Sequence, residues 1–218
     1  MKIQVRNAAL AQAYATVKGS SVAFLDETYD VDPVHKKHFY VMAGVVVAVG
    51  QLSSLRDGIA NLAGSNYWHT AEALRTEQGR LLTHDLLEYL GDPAGSETCV
   101  IRHTVEVKAG DRDGEAARKV CLEELLTYLA APGSHGAGVT LMVLERRRPS
   151  PAAAADAVTK TGLIADGILT RAVQMLQISP RDEPLLWLPD LACSAYRQKI
   201  VHGKSEYFDR IDQITRLI

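Results

Sequence analysis

The run "HFYVMAGVVVAV", residues 38–49, constrains this chain more than any other stretch. It is rich in valine and apolar at odd and even positions alike. A strand with one wet face would alternate. A strand apolar on both sides belongs to a sheet covered by helices on both faces. At about 12 residues the run is too short for the roughly 20 that a membrane helix needs.

A second apolar run, "VAFL" at 22–25, predicts a strand over 21–25 that stops at Asp26 and Glu27. The polar linker "DETYDVDPVHKK", with Pro33, reads as a hairpin-like connection between the two strands. Leu52, Leu55, Ile59 and Leu62 recur at helical spacing and predict a helix over 51–63; a second helix covers 71–90 and stops at "GDPAGS". Residues 97–107 alternate and predict a half-exposed strand near an edge. A helix over 115–130 and a buried strand over 139–144, ending in Glu145, follow. Residues 152–178 read as one long helix containing Gly162 and Gly167, and "LLWL" as a short apolar strand or turn. Pro189 suits the first turn of a helix over 189–202. Phe208, Ile211, Ile214 and Leu217 form a stripe that predicts a terminal helix over 205–217. Alternating strands and helices mean α/β layers. No repeat and no break in composition divides the chain, so residues 1–218 are expected to form a single domain.

Charge and cysteine usage narrow the function classes. With 24 Lys and Arg against 26 Asp and Glu, the chain lacks the basic footprint of an avid non-specific nucleic-acid binder, though a local basic groove remains open. Cys99, Cys121 and Cys193 form no CxxC pair, which argues against structural zinc and suits a reducing compartment. Gln4, Arg6, Asn7 and Gln12 interrupt the N-terminal apolar residues, so no signal peptide is expected. These features predict a cytoplasmic protein without membrane contact.

Two buried-looking strands end in acids, "VAFLDE" and "VTLMVLE", and Asp190 stands in the first turn of a late helix. If the strands are neighbours, Asp26 and Glu145 lie side by side at the carboxyl end of the sheet, where α/β folds bind ligands. Clustered carboxylates repel unless a cation joins them, and hard oxygens suit Mg²⁺ or Mn²⁺. The competing explanation is ordinary: acids are common at strand exits, and the helix dipole alone favours Asp190. In "YWHTAEAL", His69 and Glu72 are placed to share a pocket, or Thr70 caps the helix and His69 is a plain surface residue. Arg146, Arg147 and Arg148 after Glu145 suit phosphate or a solvated loop. Asp190, Ser194 and Arg197 share one helical face, which directs Arg197 to the same phosphate or to an acid. Walker A, GxGxxG, GxSxG and HExxH patterns are absent from the sequence.

The stretches "VAFLDETYD…FYVMAGVVV", "YWHTAEAL" and "LWLPDLACSAYRQ" resemble the D-E-S-G strand motif, the H-x-x-E/D segment and the late l-q-l-A-D-l-v-a helix of the domain of unknown function 3800 family. That resemblance covers most of the chain and implies an RNase H-like fold: a mixed central sheet, its first three strands antiparallel, with helices on both faces. It implies acids on strand one, a middle strand and a late helix, which here are Asp26, Glu145 and Asp190. His69 and Glu72 match the further motif. The implied function is a Mg²⁺- or Mn²⁺-dependent nuclease acting on RNA or DNA. Asp26, Glu145 and Asp190 hold the ions in this reading, with Glu27 auxiliary. His69 positions substrate or moves a proton, and Arg147, Arg197 and Glu72 contact substrate. Where that family has Ser-Gly, this chain has Thr28-Tyr29, and Pro189 replaces the Ala before the late Asp. These departures motivate the alternative, a catalytically altered module that binds protein or nucleic acid. A homodimer through the stripe at 205–217 is a further expectation.

Overall fold

The computed structural model describes residues 7–17, 20–32, 34–35, 38–133, 137–147 and 150–218. Pro33 and Arg148 lie outside the described residues. Six strands form one mixed sheet: β1 (Ser21–Asp30), β2 (Phe39–Ala48), β3 (Thr98–Glu106), β4 (Leu141–Glu145), β5 (Gln174–Ile178) and β6 (Thr215–Leu217), in the order β5-β4-β1-β2-β3-β6. β1, β2 and β3 run antiparallel in succession. β4 is parallel to β1, β5 to β4, and β6 to β3.

Every residue of β2 except Ala48 is buried, as a strand apolar on both sides requires. One face of the sheet, with Phe24, Val41, Ala43 and Val45, packs on α1 (Ala8–Thr16), α2 (Leu52–Ala63), α4 (Glu77–Leu90) and α7 (Trp187–His202). The other face, with Leu25, Met42 and Val46, packs on α5 (Glu115–Ala130) and on Leu163 of α6 (Ser150–Ala165). Each fully buried Leu, Val or Phe contributes about 1.5–3 kcal/mol, so these two layers are the main source of stability. Among the described residues no helix is long and apolar enough to cross a membrane.

Four boundaries differ from the sequence expectation. β1 does not stop at Leu25; its backbone stays paired with β2 through Asp30↔Phe39. A partner strand with open hydrogen-bonding groups holds the polar residues 26–30 extended, whatever their composition. The long helix expected over 152–178 is α6 followed by β5, because Gly167 turns the chain at φ 74°, a conformation that favours glycine. The helix expected over 71–90 divides into α3 (Thr70–Ala73) and α4, whose start is capped by Thr76: its Oγ1 accepts from Gly79 N–H at 3.0 Å.

The terminal helix expected over 205–217 does not form. Two 3₁₀ turns, Phe208–Arg210 and Asp212–Ile214, lead into β6. Residues three apart share a face in a 3₁₀ turn as well as in an α-helix, and the open edge of β3 takes the β-branched tail as a strand. The ends are tied by Ile218 N–H to Ile101 O at 3.0 Å and His103 N–H to Ile218 O at 2.9 Å. Phe208 and Ile211 are buried in the domain's own core. Half of the stripe is therefore used within the chain, with Ile214 partly buried and Leu217 exposed, and the helix expected to carry a dimer is absent.

Gly79 sets the distance between α3 and α4. A Cβ there would stand 2.1 Å from the Ala73 backbone oxygen. Gly to Ala inside a helix ordinarily stabilises by about 0.5–1 kcal/mol. Gly79→Ala is expected to reverse that sign and cost about 1–3 kcal/mol, read from the urea midpoint, because α3 must move. A midpoint at or above that of the wild type would contradict this packing.

Candidate active site

β1 outruns its parallel neighbour. Leu25 is in register with Leu144, so Asp26 comes beside the end of β4, where Glu145 stands. α7 crosses β1 on the same face, and the Cys193 thiol donates to the Asp26 backbone oxygen at 3.4 Å. Asp190, in the first turn of α7, is thereby carried to the same place. Asp26, Glu145 and Asp190 line one pocket of about 610 Å³ together with Glu27, His69 and Arg197.

The electrostatics describe acids short of a counter-charge. Burial pushes the Asp26 carboxyl well above the usual range, and the charges of Glu27, Asp190 and Glu145 push it further. Glu145 is raised by burial, then by Asp190 and Glu27, with His69 opposing. Burial raises Asp190 too, opposed by the Thr70 N–H, which donates to its Oδ2 at 2.8 Å, and by His69. Burial likewise pushes the Cys99 and Cys121 thiols up to about 12 and Cys193 well above its usual value, so none supplies a thiolate nucleophile.

Buried, mutually repelling oxygens are the donor set a hard divalent ion takes, so these residues fit Mg²⁺ or Mn²⁺ in chemistry. Two of the acids also have other work. Glu27 turns to the opposite face of the sheet and pairs with Arg118, Oε1 to Nη1 at 2.6 Å. Arg118 in turn holds Asp156 through two 2.9 Å hydrogen bonds. Asp190 caps α3 from another helix. Among the described residues no group of three or more His, Cys, Asp or Glu side chains is already gathered as a metal-ligating cluster.

The expected substrate contacts divide. Arg197 lines the pocket and is oriented by β1: its Nη1 donates to Thr28 Oγ1 at 3.3 Å and to Tyr29 O at 3.1 Å, and Nη2 stands 3.6 Å from Asp30. Thr28 and Tyr29 thus hold a cation at the pocket. His69, at the N-cap of α3, is exposed and makes no side-chain cap bond. Glu72 lies on α3 outside the pocket lining and accepts from the Tyr67 hydroxyl at 3.4 Å. Arg147 is not a lining residue: it pairs with Glu115 and comes within 3.8 Å of Asp156, on the α5 side of the sheet. Strand alternation would return Arg147, two residues on, to the face of Glu145; but β4 ends at Glu145, and two acids hold Arg147 on the α5 side.

No family model matches the chain. No curated protein and no solved structure gives a match either.

Arg181, Tyr67 and Trp187 also line the pocket and were not expected there. Arg181 follows β5, so its place becomes legible only once β5 is recognised as a strand ending beside β4. Its guanidinium lies over the Tyr67 ring, 5.4 Å from the centroid. Trp187 is almost wholly buried, and its indole N–H has no acceptor among the described residues.

Proposed function

We propose that this chain is a divalent-metal-dependent nuclease of the RNase H-like class, hydrolysing phosphodiester bonds of RNA or DNA. The observation that carries this reading is the meeting of Asp26, Glu145 and Asp190, from three separate elements, in one pocket. The strand order β5-β4-β1-β2-β3, with its first three strands antiparallel, supports the fold part of the reading. So do the positions of the acids on β1, β4 and the late helix α7. The resemblance to the domain of unknown function 3800 family belongs to the same proposal.

Asp26, Glu145 and Asp190 would hold Mg²⁺ or Mn²⁺, with Glu27 auxiliary. Bound there, the ions supply positive charge to the attacking water and the leaving oxygen of a phosphodiester. Arg197 binds phosphate oxygens from a guanidinium already oriented by Thr28 and Tyr29. His69 stands at the mouth, near enough to act on the charges of Glu145 and Asp190, and holds or moves a proton at the leaving oxygen. Incubation of the protein with single-stranded and duplex RNA and DNA in Mn²⁺ or Mg²⁺ is expected to give cleavage that EDTA stops. Absence of cleavage on all four substrates, with no heat of Mn²⁺ binding by calorimetry, would sink the reading.

One observation favours a second reading, a non-catalytic module of the same fold that binds nucleic acid or protein. Asp190 is committed to Thr70 and Glu27 to Arg118, so two of the acids already have structural partners. Under that reading Mn²⁺ leaves the melting temperature unchanged.

A further inference from the structure

We infer that the pocket takes a single-stranded nucleic acid, with unpaired bases stacked on Tyr29 and Tyr67 and phosphates held by Arg181 and Arg197. This deepens the nuclease reading and rests on it for the class of polymer.

The chemistry sits on the rim of the pocket. Among the described residues three tyrosines are exposed, Tyr29, Tyr67 and Tyr89, and the first two line this pocket. Both are held in place, Tyr29 on the α5 side of the sheet with Tyr40 and Tyr67 beside α3, so a strand bound to both passes over the end of β4 next to the β1 residues that outrun it. The Tyr29 ring lies parallel to the buried Tyr40 ring, 5.1 Å between centroids and 4° between planes, with 45% of the residue still exposed. Tyr67 is fixed on one side by Arg181 and through its hydroxyl by Glu72. An aromatic ring backed by a rigid partner offers a flat surface and loses little conformational entropy on binding. Bases in a duplex are stacked on one another and cannot reach such rings, whereas unpaired bases can be splayed onto them.

The charges agree with this geometry. Chain-wide charge is slightly negative, and the pocket floor is acidic, so long-range attraction to a polyanion is weak. Binding must then come from short-range stacking and from the rim cations. Among the described residues Arg181 and Arg197 are the two arginines that line the pocket, each set beside an aromatic: Arg181 over Tyr67, and Arg197 over Phe39 at 5.6 Å. Stacking platforms interleaved with guanidinium groups are what sequence-tolerant single-strand binding uses.

The test is fluorescence anisotropy with labelled oligouridylate, oligothymidylate and the duplexes each forms with its complement, in EDTA and in Ca²⁺. The single strands are expected to bind more tightly than their duplexes in at least one of these conditions. Tyr67→Ala and Tyr29→Ala should each weaken single-strand binding by about 5- to 150-fold, and Tyr67→Phe and Tyr29→Phe should restore it. Arg181→Ala should weaken binding and make its salt dependence shallower, by about 0.7 in the logarithmic slope for each phosphate the arginine neutralises. Preference for either sugar, or for neither, supports the proposal as long as the single strand wins. Duplex bound as tightly as single strand, no binding of any strand, or alanine variants that fold and bind like the wild type would overturn it. If single strands bind in this way but no divalent ion promotes cleavage, the nuclease reading fails and the subsite stands.

Discussion

Asp26→Asn is expected to lower metal-dependent cleavage by about 100-fold or more, while the variant melts at a higher temperature than the wild type in EDTA at neutral pH. The two effects share one cause. Asp26 is buried against three other acids, and its proton is held more tightly in the folded protein than in the unfolded chain. Glu145 and Asp190 are shifted in the same direction. A carboxyl raised on folding contributes stability that is complete below its unfolded pKa and is lost as pH rises through its folded one. Metal-free wild type should therefore lose stability from about pH 4 upward, the unfolded carboxylate range. Asn at 26 removes the most strongly disfavoured charge, so variant and wild type should converge near pH 4 and separate toward pH 8. Each kcal/mol of difference corresponds to about 2–4 °C in a chain of this size. Thermal melts across that range, with and without Mn²⁺, read both halves. An Asp26→Asn variant that cleaves like the wild type, or melts lower than it in EDTA at neutral pH, would remove Asp26 from the proposed role.

Glu183→Gln is expected to cost about 3–5 kcal/mol, the largest loss of stability expected for a single substitution here. Glu183 is fully buried and both its oxygens are used. Oε1 accepts from Arg56 Nε at 2.9 Å and from Leu185 N–H at 3.0 Å. Oε2 accepts from Arg56 Nη2 and from the Tyr14 hydroxyl, each at 2.8 Å. The amide leaves the Arg56 guanidinium, itself buried, without its counter-charge. Adding Arg56→Met should recover part of the loss, because the unpaired charge is then gone. Urea titrations of the three proteins check this, and a loss under about 1 kcal/mol for the single variant would contradict it. The effect reaches the pocket, since the residues flanking Glu183 include Ser179, Arg181, Leu186 and Trp187, all lining residues. This pair ties α1, α2 and the pocket wall together.

What could be read in advance follows the range of the forces involved. The acids of the pocket were legible because each ends or begins an apolar element, a local pattern. Strand β2 was legible because no one-sided environment tolerates its composition. Asp190 as a cap on α3 was not: the Thr70 amide lies 120 residues away in sequence. Arg56 and Glu183 are 127 residues apart, and each reads alone as an ordinary helix or turn residue. β5 was hidden inside a helical reading because "QMLQI" carries no strong period and only Gly167 marks the break. Arg147 was drawn to the pocket by its nearness to Glu145 in sequence, yet β4 ends at Glu145, and pairing with Glu115 and Asp156 carries the arginine to the other side of the sheet.

β6 has a bearing on how separate copies of this chain meet. Residues Cys99, Val100 and Ile101 of β3 pair with Thr215, Arg216 and Leu217, so the outer side of a nine-residue strand is in part already taken. The edge exposed in its place is three residues long and carries a charged arginine at its centre. A short, charged edge gives an approaching strand little to add to. Those three residues therefore guard this edge of the sheet against growing from one molecule into the next, the first step toward a fibril.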